Sequence, residues 1–394
     1  MTITKGIRIM PALHKVVVIG GGYAGTLAAN HLRLRDDVAI TLVNARPRFV
    51  DRIRLHQYVA GTGEAAIDYG TLLGDGVELV VDSAARIDTA AREVRLESGR
   101  ALAYDHVIYA VGSTGAPPPQ VPGASGLAFD ISAYEPARRL RTRLAELPPD
   151  ARITVVGGGL TGIETAAELA ERGRAVTLVC GRTLAPYFSK GGRRYAARWL
   201  ARHGVTVIEG AEVSAVTPDT VVLADGTERP SAVTIWAAGF GVPRLAAASG
   251  LRTDELGRLL TDETLTSVDD DRIVAAGDCA APSGRPLRMS CYAAGPLGAL
   301  AAGTILSRLA GTEPEPINVR FTGACASLGR HAGIRQLARK DDTAVNVYVG
   351  GRAGAVIKEV TCAFAVSRIR SEARRPGSAR WVKGRPRSVE PALA

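Results

Sequence analysis

Two glycine-rich turns of one pattern, VVVIGGGYAG at 16–25 and ITVVGGGLTG at 153–162, constrain this chain more than anything else in it. Each follows an apolar run of strand length and opens a stretch rich in alanine and leucine with the character of a helix. Gly20 and Gly157 allow the tight turn, Gly22 and Gly159 let the backbone approach a bound group, and Gly25 and Gly162 let the helix pack on its strand. Free N–H groups and the helix dipole at such an N-terminus attract an anion such as a pyrophosphate. Two turns in this context imply two bound dinucleotides, with Tyr23 and Ala24 beside the first cradle and Leu160 and Thr161 beside the second.

At 394 residues the chain is long enough for two or three domains with buried cores. Aromatic residues are only 5%, which suits tightly packed α/β layers. The apolar run after Lys15 is too short for a signal peptide and runs straight into the glycine turn, so a cytoplasmic protein is expected. Its five cysteines form no CxxC or CxxxxC pair and no ligand spacing with the six histidines. The expectation is reduced, mostly buried thiols, no redox disulfide and no metal. Met289–Leu306 carries no charge, but its glycines, Pro296 and many alanines fit a closely packed buried helix better than a membrane span.

The formal charge of +10 is concentrated at the C-terminal end, where Arg368–Arg387 has eight basic residues and one acidic, Glu372. Such a tail suits an anionic membrane surface or nucleic acid, or simply solvent. Along the chain, strands are expected at 38–43, several between 77 and 111, near 175–179 and 205–208, and at 345–350 and 354–360. SGR at 98–100 and VVLADGTE at 221–228 read as hairpins, and GAPPPQVPG at 115–123 as a rigid crossing between domains.

A residue closing the second strand of each unit is placed to meet the adenosine ribose. In the first unit it is Asn44, a weaker diol partner than a carboxylate. In the second it is Cys180, followed by Gly181 and Arg182. With no carboxylate to repel a 2′-phosphate, Arg182 can receive one, which puts NADPH beside NADH as the second nucleotide; the same arginine also reads as an ordinary surface residue.

The motifs GGGYAG, YDHVIYAVGSTG, GGGLTGIETAAEL, TIWAAGF and RIVAAGDCA, in this order from Lys15 to about Val360, resemble the two-dinucleotide flavoprotein superfamily of pyridine-nucleotide oxidoreductases. Within it, the chain is similar to the type II NADH dehydrogenases and the apoptosis-inducing-factor-like quinone reductases of the ferroptosis-suppressor type. The resemblance implies an α/β fold with two Rossmann-like dinucleotide-binding domains, for FAD and NAD(P)H, the second inserted in the first, plus a small C-terminal α+β region. The expected boundaries are 13–116 with 251–312 for FAD, 117–250 for NAD(P)H, and 313–394 for the C-terminal region and tail.

By position, the resemblance gives Asp278 and Gly277 to the FAD ribitol, and places Gly112 and Ser113 where the chain passes the cofactor. It lays RIRLHQYVAG at 52–61, with Arg54, along the flavin, and puts Gly239 of TIWAAGF at the nucleotide. Glu164 is the family's carboxylate near the nicotinamide, although a first-turn glutamate is also an ordinary dipole partner. Lys358 matches a C-terminal lysine on the flavin or quinone side. His56 is a candidate proton donor or a structural histidine.

The implied chemistry is hydride transfer from NAD(P)H to flavin and then electrons to an acceptor, a quinone by preference. The glutamines that mark the quinone mouth of type II dehydrogenases are missing from MSCYAAGPLGALAAG. A ferredoxin-like acceptor and a redox-sensing flavoprotein that works by binding stay open as alternatives. A homodimer and a weak contact of the tail with the inner membrane surface, through Phe364, Val366 and Ile369 beside Arg368 and Arg370, are the remaining expected partners; nucleic acid is not expected.

Overall fold

The computed structural model describes residues 13–115 and 117–387, so Ala116 and the last seven residues of the expected C-terminal region lie outside the described residues. The first unit is β1 (His14–Ile19), α1 (Tyr23–Leu32) and β2 (Val38–Asn44). It continues through α2 (Leu55–Ala60), β3 (Val77–Val81) and β4 (His106–Tyr109). Next come β5 (Ala128–Asp130), α3 (Tyr134–Glu146), β6 (Arg152–Val156) and α4 (Leu160–Glu171). The second unit ends with β7 (Ala175–Cys180), α5 (Lys190–Arg202), β8 (Thr206–Glu209) and β9 (Val233–Trp236). Then follow β10 (Ile273–Ala275), α6 (Cys291–Leu309), β11 (Gly323–Leu328), β12 (Ala332–Ala338), β13 (Ala344–Gly350) and α7 (Gly351–Arg374).

Two five-stranded parallel sheets organise the molecule, in the orders β10-β4-β1-β2-β3 and β5-β9-β6-β7-β8. In each, the strand that leads into the glycine turn is central, so the turn emerges where the strand order reverses, the point at which open parallel sheets bind ligands. Val16, Val17, Val18 and Ile19 are all under 4% exposed, because α1 and α6 pack on this sheet and Ile87, Val94 and Leu96 of the antiparallel strands at 84–103 share its core, so a strict polar alternation has no place there. The fold is α/β with Rossmann-like units. β10 rejoins the first sheet beside β4, pairing Ile273 with Val107, so chain before and after the second unit shares one sheet.

The uncharged run around 289–306 forms most of α6, which is buried from Ala293 to Ala302. Gly298 is needed there because a Cβ would collide with the backbone of Ala24 on α1. Among the described residues no helix is long and apolar enough to cross a membrane.

The C-terminal region departs from expectation. VNVYVG lies in strand β13, but 354–360 is helical, not extended, and belongs to α7. Gly351, at φ +66°, turns the chain out of β13, and Gly354 seats the new helix against the backbone of Gly333 on β12. The buried positions Gly354, Lys358, Cys362, Ala365, Val366, Ile369, Glu372 and Ala373 recur at helical spacing. The β-branched Val356 and Val360, which suggested a strand, face outward instead.

The first part of the basic tail is therefore packed structure. Arg368 is buried, donates to the carbonyl oxygen of Arg380 at 3.0 Å and lies 5.0 Å over the Phe364 ring. Glu372 accepts from the N–H groups of Gly377 and Ala379, each at 2.6 Å, and meets His31 Nδ1 at 2.6 Å. Burial pushes this carboxyl up, but the His31 contact and the N–H donors outweigh it and hold the group below its usual range. Val366 and Ile369 sit in the main core, so neither they nor Arg368 can meet a membrane as expected.

Candidate active site

The first glycine turn opens on a cleft of about 340 Å³. Gly20 has φ +103°, and a Cβ there would collide with the carbonyl of Ala110; a Cβ on Gly25 would collide with the carbonyl of Gly20. Gly22 has nothing within 4 Å of its missing Cβ. The first and third glycines thus serve packing, and the second leaves open the cradle that a phosphate would fill, next to Tyr23 and Ala24. Asn44 lies in this wall, but its amide is already used: Oδ1 accepts from Gly21 N–H at 2.9 Å and Nδ2 donates to the Arg46 carbonyl at 2.8 Å. Tyr69 adds a hydroxyl bond of 2.6 Å to the Gly21 carbonyl.

Across the cleft, Asp278 is fixed by two donors, Ser113 Oγ to Oδ2 at 2.7 Å and Ser290 N–H to Oδ1 at 3.2 Å. Gly112 and Gly277, both with positive φ, bring backbone to the same wall. Arg46, Arg48 and Arg52 line the cleft, and Arg52 is the one bound to this wall: its Nη1 donates to the Ser113 carbonyl at 2.9 Å and to its hydroxyl at 3.1 Å. Arg54, the expected residue, instead pairs with Glu359 at 2.5 Å and with Gln57 Oε1 at 2.9 Å, because the single 3-10 turn at 52–54 sends the two guanidiniums to different sides. Sequence reasoning came within two residues of Arg52; for Ser290 it had no signal.

The second turn repeats the geometry. Gly157 has φ +127°, a Cβ on Gly162 would collide with the Gly157 carbonyl, and Gly159 is open, as is Gly239 at φ +75°. Leu160 and Thr161 begin α4 at this edge. Cys180 does not face a ribose: it is fully buried beneath Gly158, and burial pushes its thiol up to about 12. Arg182 is exposed. The adjoining pocket of about 250 Å³ is lined by Thr183, Lys190, Arg193, Arg194 and Glu209. Glu209 Oε2 accepts from Thr183 Oγ1 at 2.9 Å and Leu184 N–H at 2.8 Å, and Arg193 donates to Thr183 Oγ1 at 3.1 Å. The three added cations come from the start of α5, beyond the loop that follows the strand end where such a residue is sought.

Between α2, α4, β11 and α7 lies a buried ionic centre that joins the three expected reactive residues. Lys358 Nζ is 2.8 Å from Glu164 Oε1, the N–H of Ser327 donates to the same oxygen at 2.9 Å, and His56 Nδ1 stands 3.8 Å from Oε2. His56 Nε2 meets Ser327 Oγ at 3.2 Å. Burial opposes charge on both members of the pair, but their attraction wins: Glu164 is held below its usual range and Lys358 well above. Burial lowers His56 to about 4, so it is neutral near pH 7. Cys291 and Cys362 share the surroundings of Lys358 with Cys325, and burial raises the first two to about 12 and about 11, keeping them as thiols. All five cysteines are free.

The pattern of the pyridine nucleotide-disulphide oxidoreductases matches residues 14–297, from the first strand through Asp278 to the start of α6. The chain belongs to this family. An NADH dehydrogenase-like protein of Mycobacterium tuberculosis is 32% identical over 324 residues, spanning 75% of this chain and 80% of that one. A type II NADH:quinone oxidoreductase of Staphylococcus haemolyticus is 28% identical over 401 residues, spanning 90% and 96%. Among solved structures, the sulfide:quinone oxidoreductase of Aquifex aeolicus superposes with a TM-score of 0.79 at 19% identity, covering 92% of this chain and 93% of that one. As a pyridine nucleotide-disulphide oxidoreductase, the chain is an oxidoreductase of an NAD(P)H-dependent flavin family, which accounts for two glycine turns of one geometry. Its 52–61 segment carries no cysteine.

Proposed function

We propose that this chain is an FAD-dependent NAD(P)H:quinone oxidoreductase. The observation that carries the reading is the buried Glu164–Lys358 pair, a charged proton-bearing group that sits one turn into the helix following the second glycine turn, past the first turn where the sequence suggested a dipole partner. The quinone oxidoreductases among its relatives add support.

On this reading the open cradle at Gly22 in the cleft of the first turn would hold the FAD pyrophosphate, and the one at Gly159 would hold NAD(P)H. Bound FAD would supply two-electron chemistry between the nicotinamide nucleotide and the acceptor. Asp278, aligned by Ser113 and Ser290, would accept hydrogen bonds from the ribitol hydroxyls. Glu164 holds Lys358 in its ammonium form inside a water-poor pocket, and Lys358 gives a proton to the acceptor oxygen as charge develops there. Neutral His56 braces Ser327, whose N–H fixes Glu164. The protein's main work is to place two rings and keep water out.

NADPH is supported by Arg182 together with Lys190, Arg193 and Arg194 around the neighbouring pocket. The outward face of α7, with Val356, Val360 and Phe364 exposed beside Arg352, Arg370 and Arg374, supports a weak docking on an anionic membrane surface.

The test is acceptor choice. Flavin-loaded protein should oxidise NADPH or NADH with a soluble ubiquinone or menaquinone analogue faster than with a ferredoxin. Faster ferredoxin reduction would favour the protein-acceptor alternative, and slow turnover with both would favour a flavoprotein that acts by binding.

A further inference from the structure

Glu168 is a buried carboxyl that the chemistry above leaves unused. It lies one helical turn beyond Glu164 on the same face of α4 and is 1% exposed. Oε1 accepts the hydroxyl of Thr62 and has Arg330 Nε at 4.0 Å, while Oε2 has no hydrogen-bond partner among the described residues. A fully ionised carboxylate with one bare oxygen in a buried interior is costly. A carboxylic acid that holds a proton suits the place. Burial pushes the group up, in the direction that favours this form.

Its setting connects solvent to the ionic centre. Arg330, on the turn after β11, is about one-third exposed, and its Nη2 lies 3.2 Å from Glu359, which is 46% exposed. The N–H of Arg330 is bound at 2.5 Å to Glu171, the last residue of α4. Inward, Glu164 turns one oxygen to Lys358 and the other towards His56. The ionisable groups facing Glu168 are Glu164 and Glu171 from its own helix and Arg330 from the β11–β12 turn. His56 of α2, Arg54, and Lys358 and Glu359 of α7 face those neighbours in turn.

We propose that Glu168 supplies the solvent proton consumed when the acceptor is reduced, handing it along α4 to Glu164 and Lys358. The inference rests on the quinone-reductase reading. Reducing a quinone to a quinol takes two electrons and two protons; a hydride from NAD(P)H brings two electrons and one proton, so one proton must enter from solvent. Lys358 gives its proton to the acceptor oxygen and is reprotonated through Glu164. Glu164 takes the proton of Glu168, and Glu168 recovers one from water at the Arg330–Glu359 rim. The net reaction is NAD(P)H plus a proton plus quinone to NAD(P)⁺ plus quinol.

The experiment compares wild type with Glu168→Gln, Glu168→Asp and Thr62→Val in anaerobic rapid mixing, first with NAD(P)H and then with a soluble quinone. An infrared spectrum of each protein before mixing reports the carbonyl band of a protonated, water-free carboxyl. Glu168→Gln should lose that band, keep reduction by NAD(P)H within about twofold, and slow reoxidation by on the order of tenfold or more. Reoxidation of wild type should depend on pH, and Glu168→Gln should lose that dependence. Glu168→Asp should recover part of the rate, and Thr62→Val should shift the band without removing it. Wild type that quinone reoxidises, with Glu168→Gln equally fast or the band unchanged, overturns the role of Glu168 alone. Wild type that quinone does not reoxidise contradicts the acceptor and, with it, the proton's destination.

Discussion

Lys358 on α7 reaches Glu164 on α4 across 194 positions of sequence and pairs with it at 2.8 Å, both side chains about nine-tenths buried. The desolvation of both charges is offset only while both are present. Lys358→Met should therefore destabilise the fold by about 3–5 kcal/mol, and the double variant with Glu164→Gln should recover part of that loss. Urea unfolding of the single and double variants checks this; a single variant as stable as the parent would mean that the pair is not formed.

His56 gives the fold a pH dependence of known sign. Its pKa is depressed from its usual 6.5 to about 4, so below 6.5 the unfolded chain takes up a proton that the native chain refuses. The stability present above pH 6.5 is lost as pH falls towards 4, by about 3 kcal/mol in all. Glu164, depressed as well, adds a further loss as pH falls below its usual range. Urea unfolding between pH 7 and 4 should show the slope, and His56→Gln should flatten it.

The glycines of the first turn separate folding from binding. A Cβ placed on Gly22 meets no atom within 4 Å, so Gly22→Val should change stability by less than about 1 kcal/mol, yet block the pyrophosphate and strip the flavin. Gly25→Ala should destabilise by about 1–3 kcal/mol through its collision with Gly20. Asp278→Ala should weaken flavin retention without unfolding the chain. Flavin content after gel filtration, beside a thermal melt, distinguishes the three; full flavin in Gly22→Val would place the cofactor elsewhere.

Nucleotide choice should respond to the basic rim. Arg182→Ala and Arg193→Ala should each raise KM for NADPH more than for NADH, on the order of tenfold for loss of a charged phosphate contact. Equal effects on both nucleotides would show that these arginines do not read a 2′-phosphate.

What was legible in the sequence was local. Gly20, Gly22 and Gly25 declare their roles through spacing alone, and the second turn repeats them, so the two parallel sheets could be anticipated. Asp278 and Ser113 were both named, but their 2.7 Å bond spans 165 positions and left no trace in spacing. Ser327, Thr62 and Glu168 were invisible for the same reason: their meaning comes from neighbours on other elements. The helix of Lys358 was misread because Val356, Ile357 and Val360 imitate a strand, while the burial of Lys358, Cys362 and Glu372 at helical spacing appears only once β12 and α1 pack against it. Arg368 and Glu372 looked like solvated tail charges because a chain alone does not show the carbonyl of Arg380 or His31 waiting for them.

The central claim, electrons from NAD(P)H through flavin to a quinone, is tested most directly by anaerobic stopped-flow of the flavin-loaded protein. Mixing with NADPH and with NADH in turn should bleach the flavin, and a second mix with a soluble quinone should restore its colour faster than steady-state turnover requires. A flavin that bleaches and then stays reduced in the presence of quinone would contradict the acceptor, and a protein that NAD(P)H does not bleach would contradict the account as a whole.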